Sequence, residues 1–215
     1  MKRILRILRD KVRYILVTRK WSEKLRNDNF TIFASDCTGG VLYHELNKRF
    51  LSPTINMYFD AQDFMRFIEN PEKYFYIPME LDKKSSLDEG YPVAKLGDIK
   101  LHLVHYKTIE EAQQKWLQRI ERINWTNVYY VMNDRNGCTN KDIEQFDEFL
   151  NKNGRKGVIF MHLPKGKIKN GFYIHGSEAQ ECVDTMTAYT SILHRRMDQF
   201  KWLEWIDDIQ SIGEK

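Results

Sequence analysis

The sequence predicts an α/β fold: a three-layer domain with a mostly parallel sheet, helices on both faces of that sheet, and a basic amphipathic helix in front of it. Three observations predict it. Strand-like and helix-like segments alternate after Asn29, the pattern of a parallel sheet whose crossovers are helices. The 215 residues sit near the upper end for one compact core, so residues 29–215 are expected to form a single domain. Residues 1–28 hold ten Lys or Arg against Asp10, Glu23 and Asp28, a surplus of seven in a chain of net charge +4, so the remainder is about three charges negative.

In the first segment Ile4, Leu5, Leu8, Val12, Ile15 and Leu16 recur at helical spacing with basic residues largely between them. Such a helix either lies on an anionic membrane surface, its aliphatic stripe in the acyl boundary, or packs on its own domain and leaves a solvated basic face. Residues 30–34 read as a strand, 40–50 as a helix, 54–59 as a strand, and 60–70 as a helix entered at Asp60 and stopped by Pro71. Residues 71–91, including DKKSSLDEG, read as an exposed loop. Residues 99–105 form a strand, and Thr108 with Glu111 makes a capping box for a helix reaching residue 123. A strand at 128–132, a turn at NDRNG, a helix at 140–150, and strands at 157–162 and 172–175 follow. Ser177 and Gln180 then cap a long final helix with Cys182, Met186, Tyr189, Leu193, Met197, Phe200 and Leu203 on one face.

Cys37, Cys138 and Cys182 are widely spaced and form no C-x-x-C pair, which argues against a disulfide framework or a thiolate zinc site and for a reducing cytosol. No apolar run approaches the roughly 20 residues of a membrane span. Arg6, Arg9, Asp10, Lys11 and Arg13 interrupt any signal-peptide core. The expected location is therefore cytoplasmic, peripheral at the inner membrane face if the first helix binds lipid. Neither a cofactor nor a metal is expected: H-E-x-x-H is absent, and Asp60 and Asp63 are explained as helix-start residues. Outside the first helix there is no basic excess for nucleic acid. The sequence leaves the oligomeric state open.

In a parallel sheet, ligands gather beyond the carboxyl ends of the strands. The stretch FTIFASDCTGG is such a place. Gly39 and Gly40 lead into a helix N-terminus, which favours an anion, or they only permit a tight turn; TGG is neither G-x-G-x-x-G nor a P-loop. Cys37, at the same corner, is either a nucleophile with His105 as its base and Asp36 opposing ionisation, or a small core residue. His102 should face the other side of the sheet from His105, and His44 lies two turns away from Cys37. In TIEEAQQKWLQRIERINW, Lys115, Arg119 and Arg122 form one basic line that suits a diphosphate, or, with Glu111 and Glu121, a salt-bridged surface.

The ordered set FTIFASDCTGG, SPTINMYFDAQDFMRFIEN, YPVAKLGDIKLHLVHY and EEAQQKWLQRIERINWTNVYYV resembles the bacterial family called domain of unknown function nineteen-nineteen, whose members are often labelled exopolysaccharide biosynthesis proteins. The family's cysteine motif reads close to S-N-N-C-W-G-G; Asp36 and Thr38 stand here in place of Asn and Trp. The resemblance implies a role in capsule or exopolysaccharide synthesis. Three functions are then expected to compete: group transfer on a nucleotide sugar or lipid-linked sugar phosphate, a Cys37–His105 acyl transferase or hydrolase, and a non-catalytic membrane scaffold for glycan enzymes.

Overall fold

The computed structural model describes residues 2–207. Four parallel strands form the main sheet in the order β1–β5–β6–β7: β1 (Thr31–Ala34), β5 (Val128–Asn133), β6 (Lys156–Met161) and β7 (Gly171–Tyr173). β1 and β5 are buried along their whole length, which only a sheet covered on both faces allows. Alternate side chains serve the two sides. Phe33, Tyr130, Met132, Ile159 and Met161 enter one core with helices α4 (Ala61–Glu69), α6 (Ile109–Ile120) and α7 (Asn140–Lys152). Ile32, Ala34, Tyr129, Val131, Val158 and Phe160 enter the other with α3 (Thr38–Glu45) and the C-terminal helix α8 (Trp202–Ile206). The three layers predicted are thus present.

A second, antiparallel sheet joins β2 (Glu80–Leu81), β3 (Val93–Leu96) and β4 (Ile99–His102). The segment at 99–105 therefore contributes to a hairpin, not to the parallel sheet. Residues 54–59 are not a strand: Asn56 takes a positive φ, and only Tyr58 pairs, exchanging backbone bonds with His102. The loop expected at DKKSSLDEG is the short helix α5 (Lys83–Glu89). Asp82 caps it by accepting from Ser85 N, and Gly90 ends it in the left-handed conformation that glycine tolerates.

The capping box at α6 is half formed. Thr108 accepts from Glu111 N, but the Glu111 carboxylate reaches Lys107 N instead of the Thr108 amide. The largest departure is the long final helix. Residues 183–195 run irregularly, a 3-10 turn spans Arg196–Gln199, and α8 is short. Met186, Met197 and Trp202 are nevertheless buried against the sheet, so the apolar spacing marked core contacts made by an irregular backbone.

In front of the domain, α1 (Lys2–Arg13), a π-helical turn (Tyr14–Thr18) and α2 (Arg19–Lys24) follow one another without a break. Arg13 and Thr18 are five positions apart, and the π-turn sets both against the domain, where both reach Glu45 on α3. Trp21 and Leu25 then pack on the core.

Candidate functional site

The carboxyl ends of β1 and β5 lie side by side, and a polar clamp fixes them. Asp36 Oδ1 accepts from Thr38 N at 2.9 Å, and its Oδ2 accepts from Asn133 Nδ2 at 2.5 Å. Asn133 N in turn donates to Ser35 Oγ. One residue further, the buried Asp134 carboxylate accepts from His162 N, His162 Nδ1 and Val183 N, which ties the end of β6 and the irregular C-terminal segment to β5. Hydrogen bonds that join separate strand ends in this way preorganise the loops beyond them.

Those loops enclose a cavity of about 560 Å³ lined by Cys37, Thr38, Tyr58, His105, Arg135, Thr185 and Thr187, among others. The Tyr58 ring is held by stacking on His102, with centroids 4.1 Å apart. Thr185 and Thr187 hydrogen-bond each other through their hydroxyls at 2.9 Å. Arg135 is the cavity's guanidinium. Among the described residues it makes no ion pair and no side-chain hydrogen bond, and its Nε is buried without a partner.

The predicted site residues divide. Cys37 and His105 do meet in this cavity, but no hydrogen bond joins them among the described residues; the thiol instead approaches Met57 O at 3.9 Å. Burial, and then Asp36, push the Cys37 thiol up to about 12, against a smaller opposing effect of Arg135. Gly39 and Gly40 do not line the cavity. A Cβ on Gly39 would lie 3.0 Å from Ala34 Cβ, and one on Gly40 3.2 Å from Ile55 Cγ2, so both glycines let α3 press against its neighbours. Arg119 is buried, donating to Ile55 O and Tyr106 Oη, and Arg122 is half-buried, with burial and the neighbouring Arg49 and Arg119 lowering its pKa. Neither they nor Lys115 line the cavity.

A labelling experiment separates the two readings of Cys37. The same burial pushes Cys138 up to about 12, and Cys182 is raised less far. Iodoacetamide at neutral pH is expected to modify Cys182 ahead of the other two, with Cys37 reacting only as the pH climbs toward 12. Fast neutral labelling of Cys37 that His105→Ala slows would instead mark a nucleophile. The linkage has a definite sign: a thiol whose folded pKa stands above its ordinary value of 9.0 contributes stability fully below pH 9 and loses it as the pH rises toward 12.

Comparison with known proteins places residues 8–207 in a match to the family described as domain of unknown function (DUF1919). The chain is also 34% identical over 192 residues to an uncharacterized protein of Haemophilus influenzae, covering 89% of this chain and 90% of that relative.

Proposed function

We propose that this chain, which belongs to the family described as domain of unknown function (DUF1919), acts in cell-surface polysaccharide assembly by group transfer on a nucleotide sugar or lipid-linked sugar phosphate. It works from the inner face of a membrane that it touches without spanning; among the described residues no helix is long and apolar enough to cross one. The polysaccharide part of the proposal comes from the family resemblance. The phosphate part rests on one observation: in the strand-end cavity Arg135 makes no ion pair or side-chain hydrogen bond among the described residues, and its Nε is buried without a partner there. An arginine that forms no ion pair among the described residues, half-enclosed in a cavity also lined by Thr38, Thr185 and Thr187, is suited to receive an anion. Hydroxyl and aromatic neighbours suit a sugar, which offers both hydrogen-bonding edges and a CH face. This moves the phosphate contact from the α6 cations to the end of β5.

Calorimetric titration with UDP-glucose and with a short-chain polyprenyl phosphate tests the proposal. Arg135→Gln is expected to weaken binding by at least about tenfold, the scale of one lost charge-assisted contact, while the melting temperature stays near wild type because no intramolecular partner is lost. Equal binding by the variant, or none by the wild type to either ligand, would sink the phosphate reading.

A further inference from the structure

Amphipathic helices normally bury their apolar stripe and leave charge outside. Helix α1 does the reverse. Arg13 is 1% exposed and forks onto Asp198, Nη1 to Oδ2 at 2.6 Å and Nη2 to Oδ1 at 2.8 Å, while Nη2 also reaches Glu45. Arg9 lies over the Tyr189 ring, 3.5 Å from its centroid, and Asp10 accepts from Tyr189 Oη. On the opposite side Ile4, Leu5, Leu8 and Ile15 are 52–63% exposed, continued by Val12 and Leu16.

A continuous aliphatic stripe of this length in water calls for a cover. Charge identifies it. Lys11, Lys20 and Lys24 are exposed and form no ion pair among the described residues, whereas the acids of this region are engaged: Asp10 with Tyr189, and Glu23 with Arg19. A second copy of the chain would bring the same positive surplus against itself. An anionic surface with an apolar interior matches both halves of the face.

We propose that α1 lies in the headgroup–acyl boundary of an anionic bilayer, its aliphatic face toward the acyl chains, and that Arg13, Glu45, Asp198 and Arg195 hold the helix to the domain from the other side. The proposal rests on the peripheral-membrane part of the function above and is independent of the cavity's ligand. It also fixes how the domain meets the lipid. The platform under α1 begins at Tyr189, two residues after Thr187 in the cavity wall, so one short segment connects the membrane-facing helix to the site.

The test is co-sedimentation of the full chain with vesicles of phosphatidylcholine alone or mixed with phosphatidylglycerol, accompanied by melting curves and light scattering. Wild type is expected on the mixed vesicles, with binding that falls with salt and is weak on pure phosphatidylcholine. Leu5→Glu/Leu8→Glu should bind at least about tenfold more weakly, since two aliphatic side chains no longer enter the acyl region. Its melting temperature should match wild type, because both leucines face outward. If wild type binds no vesicle, the peripheral reading itself fails. If wild type binds and the double variant binds equally, the domain meets lipid through another surface, and only the role of α1 falls. A dimer that the double variant dissolves, without vesicle binding, would assign the stripe to a second copy.

Discussion

Glu45→Ala is expected to cost about 3–5 kcal/mol of unfolding free energy, the range for removing one partner from a buried ionic set. Glu45, on α3, has a side chain only 4% exposed. Its Oε2 accepts from Arg13 Nη2 at 3.1 Å and Thr18 Oγ1 at 2.7 Å, and its Oε1 accepts from Arg195 Nη1 at 2.5 Å. Deleting the carboxylate takes one acceptor from each of two guanidinium groups and from the Thr18 hydroxyl in a place with little water, although Arg195 still donates to Tyr189 Oη. Arg13 keeps its fork on Asp198, so the helix remains partly seated and the loss stays below that of the whole network. Urea unfolding followed by tryptophan fluorescence measures the effect. Glu23→Ala, which removes the exposed Arg19–Glu23 pair, provides the contrast at below about 1 kcal/mol. Equal small losses in both variants would show that the network neither seats α1 nor carries much stability. A set of buried charges is a poor source of stability compared with an apolar contact of the same volume. Its value here is orientation: it admits only the charged side of the helix and leaves the aliphatic side free.

That inversion was invisible in the sequence. The spacing of Ile4, Leu8, Val12 and Ile15 shows that α1 has two faces, but which face meets the domain depends on Glu45, Arg195 and Asp198, which are far away along the chain. Elsewhere the local signals were enough. β1, β5 and β6 are apolar runs bounded by turn residues, and α7 begins at a Thr139–Asp142 capping box. The final helix misled because Thr185, Thr187, Thr190 and Ser191 interrupt an otherwise helical spacing. Their hydroxyls bond locally, Thr185 to Thr187 and Thr190 to His194 O, and compete with a helical backbone. At α5 the reverse happened: a polar, exposed helix has no apolar stripe, and only its end signals, Asp82 and Gly90, could have revealed it.

The site was half legible for a similar reason. The strand-end rule singled out SDCTGG after β1, and Cys37 does line the cavity. Applied equally to β5, the same rule would have selected Asn133, Asp134 and Arg135, which read as a turn because NDRNG carries turn composition. The partners of Asp36 and Asp134 come from other strands, and no local pattern announces them. Arg119 misled in the opposite direction, because a basic line on a helix does not reveal that one member turns inward to Ile55 O and Tyr106.

Asp134→Ala is the other substitution expected to be severe, at about 3–5 kcal/mol, and it should also disable the cavity. The carboxylate is 2% exposed and receives three donors: His162 N at 2.8 Å, His162 Nδ1 at 2.6 Å and Val183 N at 2.7 Å. Without it, the Val183 and His162 amides lose their acceptor at an enclosed position, at about 1–3 kcal/mol each. The damage then spreads by geometry. Val183 anchors the segment that reaches the cavity wall at Thr185–Thr187, and Arg135 is the next residue along β5's exit. Asp134→Asn separates charge from anchoring: its amide keeps one acceptor oxygen, so it should restore part of the stability while still leaving a donor unpaired. The measurements are urea unfolding and UDP-glucose titration on the same preparations. A loss below about 1 kcal/mol for Asp134→Ala would show that backbone contacts alone hold the strand ends together. If stability falls while ligand affinity is unchanged, the 183–187 segment does not shape the ligand's place, and the cavity proposed for the sugar phosphate would have to be sought elsewhere on the sheet edge.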